Sequence, residues 1–231
     1  MTMQELTSVV EARALHDAAL AQPMAARAVR RGGDVLLSSV LLIVLAPVLL
    51  LVSLAIRLDT KGPVLFRQER VGRGRRGFTV LKFRSMKAAA DCAPHREYVR
   101  ELIARGNDGQ SESGLYKLAV DDRVTRVGRF LRKTSLDELP QLLNVLRGQM
   151  SLVGPRPVIP YEVEQYPDWY LRRFAVRPGM TGLWQVSGRN ERTYEEMVGL
   201  DIEYVERQSL ALDGKILFKT IWVVLRGQGV A

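Results

Sequence analysis

Between Val35 and Ile56 the chain reads V-L-L-S-S-V-L-L-I-V-L-A-P-V-L-L-L-V-S-L-A-I, without a single charge. As one helix, such a run of about 22 residues reaches roughly 33 Å, enough to cross the hydrocarbon layer of a bilayer. A core helix of a soluble domain rarely runs so far without strongly polar residues. A signal peptide is disfavoured, because some thirty residues precede the run and it exceeds an ordinary h-region. Pro47, just past the middle, removes a backbone hydrogen bond and crowds the preceding turn, so it kinks or breaks the helix. Both flanks are basic: Arg27, Arg30 and Arg31 before, and Arg57, Lys61, Arg67, Arg70 and Arg73 after. Basic flanks stay on the cytoplasmic side, and a straight span puts one of them outside. A segment that enters, bends at Pro47 and returns satisfies both. The sequence therefore predicts a re-entrant helical hairpin over residues 31–60, with a kinked transmembrane helix as the competing geometry. Residues 1–30 read as an amphipathic segment, with Leu6, Val9, Val10, Ala14 and Leu15 at helical spacing.

Charge narrows the partners. Lysine and arginine total 34 against 25 acidic residues, a formal net charge of +9. That excess favours a polyanion: nucleic acid, an anionic membrane or a phosphorylated substrate. Cys92 is the lone cysteine, so an internal disulfide and a cysteine zinc site are excluded, and a reducing cytosol fits. His16 and His95 have no ligand-like spacing. A zinc enzyme, a Cys-His pair and a Ser-His-Asp triad are all poorly supported.

Beyond the apolar run, Pro63 to Met86 reads as a strand pair. The turn between them, G-R-G-R-R-G from Gly72 to Gly77, matches the dinucleotide-binding spacing. That fingerprint needs a helix directly after the glycines, and a β-rich run follows instead. A hairpin turn is the better reading, with arginines placed for lipid headgroups or phosphate. Residues 88–121 are polar and read as an insertion or lid, with a helix near Arg96 to Ala104. Arg123 to Arg147 is helical in character: Leu136, Leu139, Leu142, Leu143 and Leu146 form an apolar stripe that Gly148 can end.

Thr134 to Pro157 carries the chemistry. Asp137 and Glu138 stand side by side between Arg132 and Lys133 before, and Arg147 and Arg156 after. An acidic pair in a basic frame suggests a metal-assisted site for an anionic substrate. A blander reading is a capping box, in which Ser135 caps a helix and Glu138 bonds back to it. Pro140 weakens that reading, since it falls at the fifth helical position, where its missing N–H matters. The local pattern leaves the two level. Gly154-Pro155-Arg156-Pro157 and Arg177 to Gln185 are bent, glycine-rich loops of the kind that bring backbone N–H groups to phosphate oxygens. Glu195 to Arg207 reads as an acidic, aromatic helix. Lys215 to Leu225 reads equally well as an amphipathic helix at a membrane interface or as a core helix.

In order, these segments resemble one family: the bacterial sugar transferases, or monotopic phosphoglycosyl transferases (polyprenyl-phosphate sugar-1-phosphate transferases). The resemblance covers roughly Arg30 to Gly227. It rests on the proline-broken apolar segment, G-P-V-L-F-R-Q-E-R-V-G, L-K-F-R-S-M, R-K-T-S-L-D-E-L-P-Q-L-L-N-V-L, S-L-V-G-P-R-P and R-P-G-M-T-G-L-W-Q-V-S-G-R. It implies an α+β, mostly helical, membrane-associated (monotopic) fold with an N-terminal re-entrant hairpin, a small β-hairpin and amphipathic interfacial helices. Residues 61–231 become the cytoplasmic catalytic domain, on the inner membrane of a bacterium. The implied reaction moves a sugar 1-phosphate from a UDP-sugar to polyprenyl (undecaprenyl) phosphate and releases UMP, initiating exopolysaccharide or lipopolysaccharide synthesis. Asp137 is the implied nucleophile and Glu138 the ligand of Mg2+. Lys82, Arg132 and Arg156 are implied at phosphate oxygens, with Gln185 and Arg189 as neighbours.

The implied chemistry is coherent, because a carboxylate is already ionised at neutral pH and needs no base. Ala46 stands where the family usually has serine before the proline. Larger members carry several transmembrane helices ahead of this domain, so this chain is expected to be a minimal catalytic unit. Membrane lipids are expected partners, and a homodimer is left open. The alternative is a membrane-tethered basic binding module in which the acidic pair only caps a helix. A nucleic-acid binder needs aromatics among its basic residues, and the Gly72 to Gly77 region offers only Phe78. A retaining glycosidase fails because adjacent carboxylates cannot flank a sugar at the required separation.

Overall fold

The computed structural model describes residues 24–87, 123–188 and 192–226. Residues 1–23 of the amphipathic N-terminal segment, the 88–121 insertion, His16, Cys92, His95 and Arg189 lie outside them, while residues 24–30 open the first helix. The apolar run forms two helices, α1 (Met24–Val44) and α2 (Ala46–Asp59), bent by 62° at the break between them. Pro47 is the second residue of α2, in the first turn, where a missing N–H is harmless because those amides have no intrahelical partner. The ladder runs close to the break on both sides: Leu45 N donates to Leu41 O and Leu49 N to Leu45 O, both at 2.9 Å. Ala46 in place of serine therefore does not prevent the bend. The arms stay splayed rather than folding flat on each other. At 14 residues, α2 is about 21 Å long. Among the described residues no single helix is long and apolar enough to cross a membrane.

Polar contacts fasten α1 to the rest of the chain just ahead of its apolar stretch. Arg31 donates to Val145 O at 2.6 Å and to Leu146 O at 2.8 Å, at the carbonyl end of a helix, where Val145 O also accepts from Gly148 N at 2.9 Å. Those carbonyls end α4 (Gln141–Leu146). The buried Asp34 carboxylate accepts from Leu152 N at 3.0 Å and from Ser151 Oγ at 2.9 Å. Arg30 pairs with Asp213 at 2.7 Å. The far end of α2 is held differently: Val52 and Ile56 are buried with Phe83 and Leu131. Asp59 Oδ2 then accepts from Val127 N at 3.1 Å, in the first turn of α3 (Arg126–Thr134).

Strands β1 (Leu65–Val71) and β2 (Gly77–Phe83) pair antiparallel, with Phe66 opposite Lys82 and Val71 opposite Gly77. Their turn holds Gly74 and Arg75 at φ of 64° and 62°, so the glycine run is a hairpin turn and not a nucleotide fingerprint. A second ladder was not legible in the sequence. In it β3 (Ser151–Val153) and β4 (Gly179–Thr181) run parallel, joining the two glycine-rich loops. The main core gathers Val80, Leu142, Val145, Met150, Leu152, Val153, Tyr204 and Ile216, with Leu41 and Leu42 of α1 packed against it.

One short helix, α5 (Pro160–Val163), follows β3, and two longer ones close the chain: α6 (Tyr194–Arg207) and α7 (Leu210–Arg226). Thr193 and Glu196 form a capping box at the start of α6. On α7, Asp213 and Ile216 face inward while Phe218, Ile221, Trp222 and Leu225 are exposed, so it is a core helix on one side and an uncovered apolar face on the other.

The helix expected over Arg123 to Arg147 is broken. It consists of α3, a 3-10 turn (Leu136–Glu138) and α4. The apolar stripe is there, but Pro140 cannot donate within a continuous helix and Ser135 adopts the left-handed conformation, φ 57°.

The Asp34 contact stands to be tested by removal. Asp34→Ala strands the Leu152 amide and the Ser151 hydroxyl in a buried place, a loss of about 1–3 kcal/mol. We expect a lower denaturation midpoint in detergent, with Asp34→Asn falling between it and the parent. An Asp34→Ala protein as stable as the parent would remove Asp34 from the docking.

Candidate active site

The acidic pair occupies the 3-10 turn between α3 and α4. Thr125 starts α3, its hydroxyl accepting from Gly128 N. Gly128 lies so close to the chain after β2 that a Cβ would stand 2.0 Å from Ser85 O, so only glycine lets α3 come this near. That approach brings Arg132 to Ser85, whose Oγ accepts from Arg132 Nε at 3.0 Å. Ser135 then ends α3 in the left-handed region, and the chain turns to present Asp137 and Glu138. The Ser135 side chain makes no capping bond to this turn. The capping-box reading therefore fails: Glu138 is instead paired with Lys82, Nζ to Oε1 at 2.7 Å.

Lys82 is held in place from behind. Asn144 is fully buried on α4; its Oδ1 accepts from Leu81 N at 3.0 Å and its Nδ2 donates to Thr79 O at 2.7 Å. These bonds clamp β2 on both sides of Val80, one residue from Lys82. The sequence offered no sign of this, since Asn144 sits inside an otherwise apolar helix.

Asp137 is partly buried. Burial pushes its carboxyl up to about 6; Lys82 and Arg132 pull it down while Glu138 pushes it further up. The site thus gathers two carboxylates and two cations at one half-buried turn, and Asp137 titrates close to neutrality. A perturbed acid beside specific charges is the pattern of a reacting group.

Sequence-predicted residues fall into three groups. Asp137, Glu138, Lys82 and Arg132 are brought together. Arg156 stands one layer further out, beside the buried Arg70. Burial and the Arg156 charge lower Arg70 to about 10, with Glu138 among the groups that oppose them. Gln185 Nε2 donates to Met180 O at 3.3 Å, inside its own loop. Lys133 and Arg147 are exposed.

Two buried arginines, missed in the sequence, fix the Arg156 loop by its carbonyls. Arg70 Nη1 donates to Pro157 O at 3.0 Å and Arg173 Nη2 to Arg156 O at 3.3 Å. Arg173 is itself paired with the buried Asp201. The backbone of the glycine-rich loops also differs from expectation. Gly154 N donates to Thr181 O at 2.9 Å and Gly179 N to Pro155 O at 2.8 Å. These amides donate to carbonyls across the two loops and are not offered to phosphate. The glycines serve close packing, because a Cβ on Gly179 would lie 2.1 Å from Gly154 N.

The described residues thus join a carboxylate pair framed by cations to an apolar bent helix pair. Residues 25–227 match the model of the bacterial sugar transferase family, and the chain belongs to that family. It is 44% identical over 204 residues to the exopolysaccharide production protein ExoY of Rhizobium meliloti, covering 87% of each chain. It is 45% identical over 204 residues to the undecaprenyl-phosphate galactose phosphotransferase of Salmonella typhimurium, covering 88% of this chain and 42% of that one. It is 38% identical over 204 residues to the UDP-glucose:undecaprenyl-phosphate glucose-1-phosphate transferase of Escherichia coli, covering 85% of this chain and 40% of that one. The chain thus spans less than half the length of several curated relatives and most of the length of ExoY.

The Asp137 environment carries a stability prediction. Its folded-state value near 6 lies above the ordinary 3.8, so the fold favours the protonated acid. Above about pH 6 the ionised group opposes folding; below about pH 4 it is protonated in both states and contributes nothing. Asp137→Asn is therefore expected to raise the thermal midpoint at pH 8, with the gain fading between pH 6 and 4. A midpoint lowered by the substitution at pH 8 would contradict this electrostatic picture.

Proposed function

We propose that the protein transfers a sugar 1-phosphate from a UDP-sugar to a polyprenyl phosphate in two steps, with Asp137 as nucleophile. The observation that carries this reading is the Asp137–Glu138 pair held between Lys82 and Arg132 beside the helix bend. Family membership supports the reaction class. Relatives named for undecaprenyl phosphate as acceptor, and one for UDP-glucose, support the substrates.

In the first step an Asp137 oxygen attacks the sugar-bearing phosphorus. The bond to the bridging oxygen breaks and UMP leaves. In the second, a phosphate oxygen of the lipid attacks the same phosphorus, Asp137 is released, and a polyprenyl diphosphate sugar forms. Lys82 and Arg132 neutralise phosphate oxygens in both steps.

The residues present suit Mg2+. Among the described residues no cluster of three or more metal-binding side chains occurs. Mg2+ is typically held by one or two carboxylates together with substrate phosphates and water, which the dyad provides. Glu138 is the proposed ligand. When bound, the ion supplies charge neutralisation at the diphosphate.

The uncovered apolar surface supports membrane placement. Leu36, Ile43, Val44, Leu50, Leu51, Leu54 and Leu58 are exposed along the helix pair, and Phe218, Ile221, Trp222 and Leu225 on α7. Each is worth roughly 1.5–3 kcal/mol when removed from water. We infer that the bent pair is embedded re-entrantly from the cytoplasmic face and that α7 lies at the interface. This keeps the dyad within reach of both a soluble donor and a lipid acceptor.

Intact mass spectrometry of the full chain in nanodiscs, with Mg2+ and a panel of UDP-sugars but no lipid acceptor, tests the covalent step. The expected result is an adduct of one sugar phosphate with matching UMP release, absent in Asp137→Asn. UMP release only on adding polyprenyl phosphate, with no adduct, would establish direct transfer instead. A further expectation concerns pH. The reacting form of Asp137 is ionised, so kcat/KM for UMP release should fall as pH drops through about 6. A flat profile down to about pH 4.5 would argue against Asp137 as the group that must ionise.

A further inference from the structure

A second basic cluster stands apart from the dyad. Arg27 and Arg30 of α1, Arg73 of the hairpin turn and Arg177 ahead of β4 line one open cleft, with Ser151 and Gln208 on its wall. Arg30 is paired with Asp213. Arg27, Arg73 and Arg177 are half-buried, and their guanidinium groups make no hydrogen bond or ion pair with a described residue. Burial, together with Arg31 and Arg73, pushes the Arg177 guanidinium below its ordinary range, with Asp34 opposing them. Like charges gathered in a partly desolvated place repel one another, and an anion seated among them relieves that repulsion.

The cleft is not an extension of the dyad. Lys82 lies opposite Phe66 near the open end of the β-hairpin, while Arg73 lies in its turn, beyond the Val71–Gly77 pair. Five residues of strand separate Lys82 from Gly77, roughly 17 Å. The dyad thus sits by the end of α2 and the cleft by the start of α1.

Ligand chemistry follows from the donors. Guanidinium forks from three directions suit a tetrahedral anion with several acceptor oxygens better than a flat carboxylate. Arg30 precedes Val35, the first residue of the apolar run, by about 7.5 Å along the helix axis. That is headgroup depth if the helix pair is embedded.

We propose that this cleft is a phosphate-binding site separate from the dyad, which takes the phosphodiester headgroup of an anionic membrane lipid. A soluble diphosphate offers the same chemistry. The proposal rests on the membrane placement argued above and not on the chemistry at Asp137.

The test is site-resolved arginine labelling. The full chain, in micelles of an uncharged detergent, is treated with phenylglyoxal and mapped by peptide mass spectrometry. Probes are phosphatidylglycerol doped into the micelles and, separately, inorganic pyrophosphate. Bound ligand is expected to slow labelling of Arg73 and Arg177 about tenfold, with exposed Arg57 and Arg129 changing less than about twofold. Protection by phosphatidylglycerol alone identifies a lipid site; protection by pyrophosphate as well identifies a phosphate site open to water. No protection by either probe, or equal protection of all four arginines, overturns the proposal. The double variant Arg73→Gln/Arg177→Gln should retain phosphatidylglycerol about tenfold less well while keeping Asp137-dependent UMP release. Because UMP release reports on the dyad alone, failure of the cleft and failure of the catalytic reading give different results.

Discussion

Everything in this molecule depends on how the apolar bent helix pair is tied to the rest of the chain. The tie is the Asp34 carboxylate accepting from Leu152 N and Ser151 Oγ, with Arg31 capping the carbonyl end of α4 one turn earlier. Asp34 takes the place of a neighbouring strand on the free side of β3. An amide left bare there would cost more than a made hydrogen bond gains, so the contact is strongly directional. Because α4 follows the dyad directly, the same tie sets the height of the dyad relative to the apolar helices. At the other end, Val52 and Ile56 pack on Leu131 of α3, the helix that carries Arg132. Helix pair and site are thus one body, and the depth of one sets the depth of the other.

The site itself is made by interrupting a helix. A continuous helix over this stretch would send its amides to backbone carbonyls and its carboxylates to solvent. Pro140 and the left-handed Ser135 prevent that, and the resulting turn pairs Glu138 with Lys82 and leaves the Asp137 carboxyl in the field of the same lysine. A non-glycine residue in this conformation is unfavourable by of order 1 kcal/mol, and packing on both sides must hold it there. Burial of Asp137 acts against folding in the same way. Two unfavourable features side by side at one turn suit a site that favours reactivity over stability.

Much of this was legible in the sequence, and the limits have a physical origin. The break at Pro47 and the β-hairpin around Gly74 could be read because proline and glycine act locally, through φ and the missing N–H. The acidic pair stood out for its basic surroundings. Its partner Lys82 came from the family resemblance and not from spacing, since 56 residues separate it from Glu138. Asp34, Arg70, Asn144 and Arg173 were invisible for the same reason: each acts on a backbone group far along the chain. The helix over Arg123 to Arg147 was overextended because an apolar stripe has the same period whether or not the backbone between its leucines is continuous. Glycine-rich loops suggested phosphate contact, yet Gly154 and Gly179 serve a parallel ladder that periodicity cannot reveal.

The charges around the dyad also bear on the order of events. Two carboxylates and two cations nearly cancel, so the site as built holds no surplus positive charge for a substrate. In the proposed reaction a sugar nucleotide brings two negative charges at its diphosphate, which the proposed Mg2+ would balance. Adding a lipid phosphate at the same time would bring nearly two more into a half-buried place, with nothing left to meet them. If UMP departs first, it carries away one phosphate, and the sugar phosphate remaining on Asp137 has replaced a carboxylate charge with a phosphodiester-like one. The same Lys82 and Arg132 then meet the lipid phosphate at the strength with which they met the donor. On the proposed mechanism, a covalent step on Asp137 lets a site with two cations meet three phosphates without ever holding them all at once.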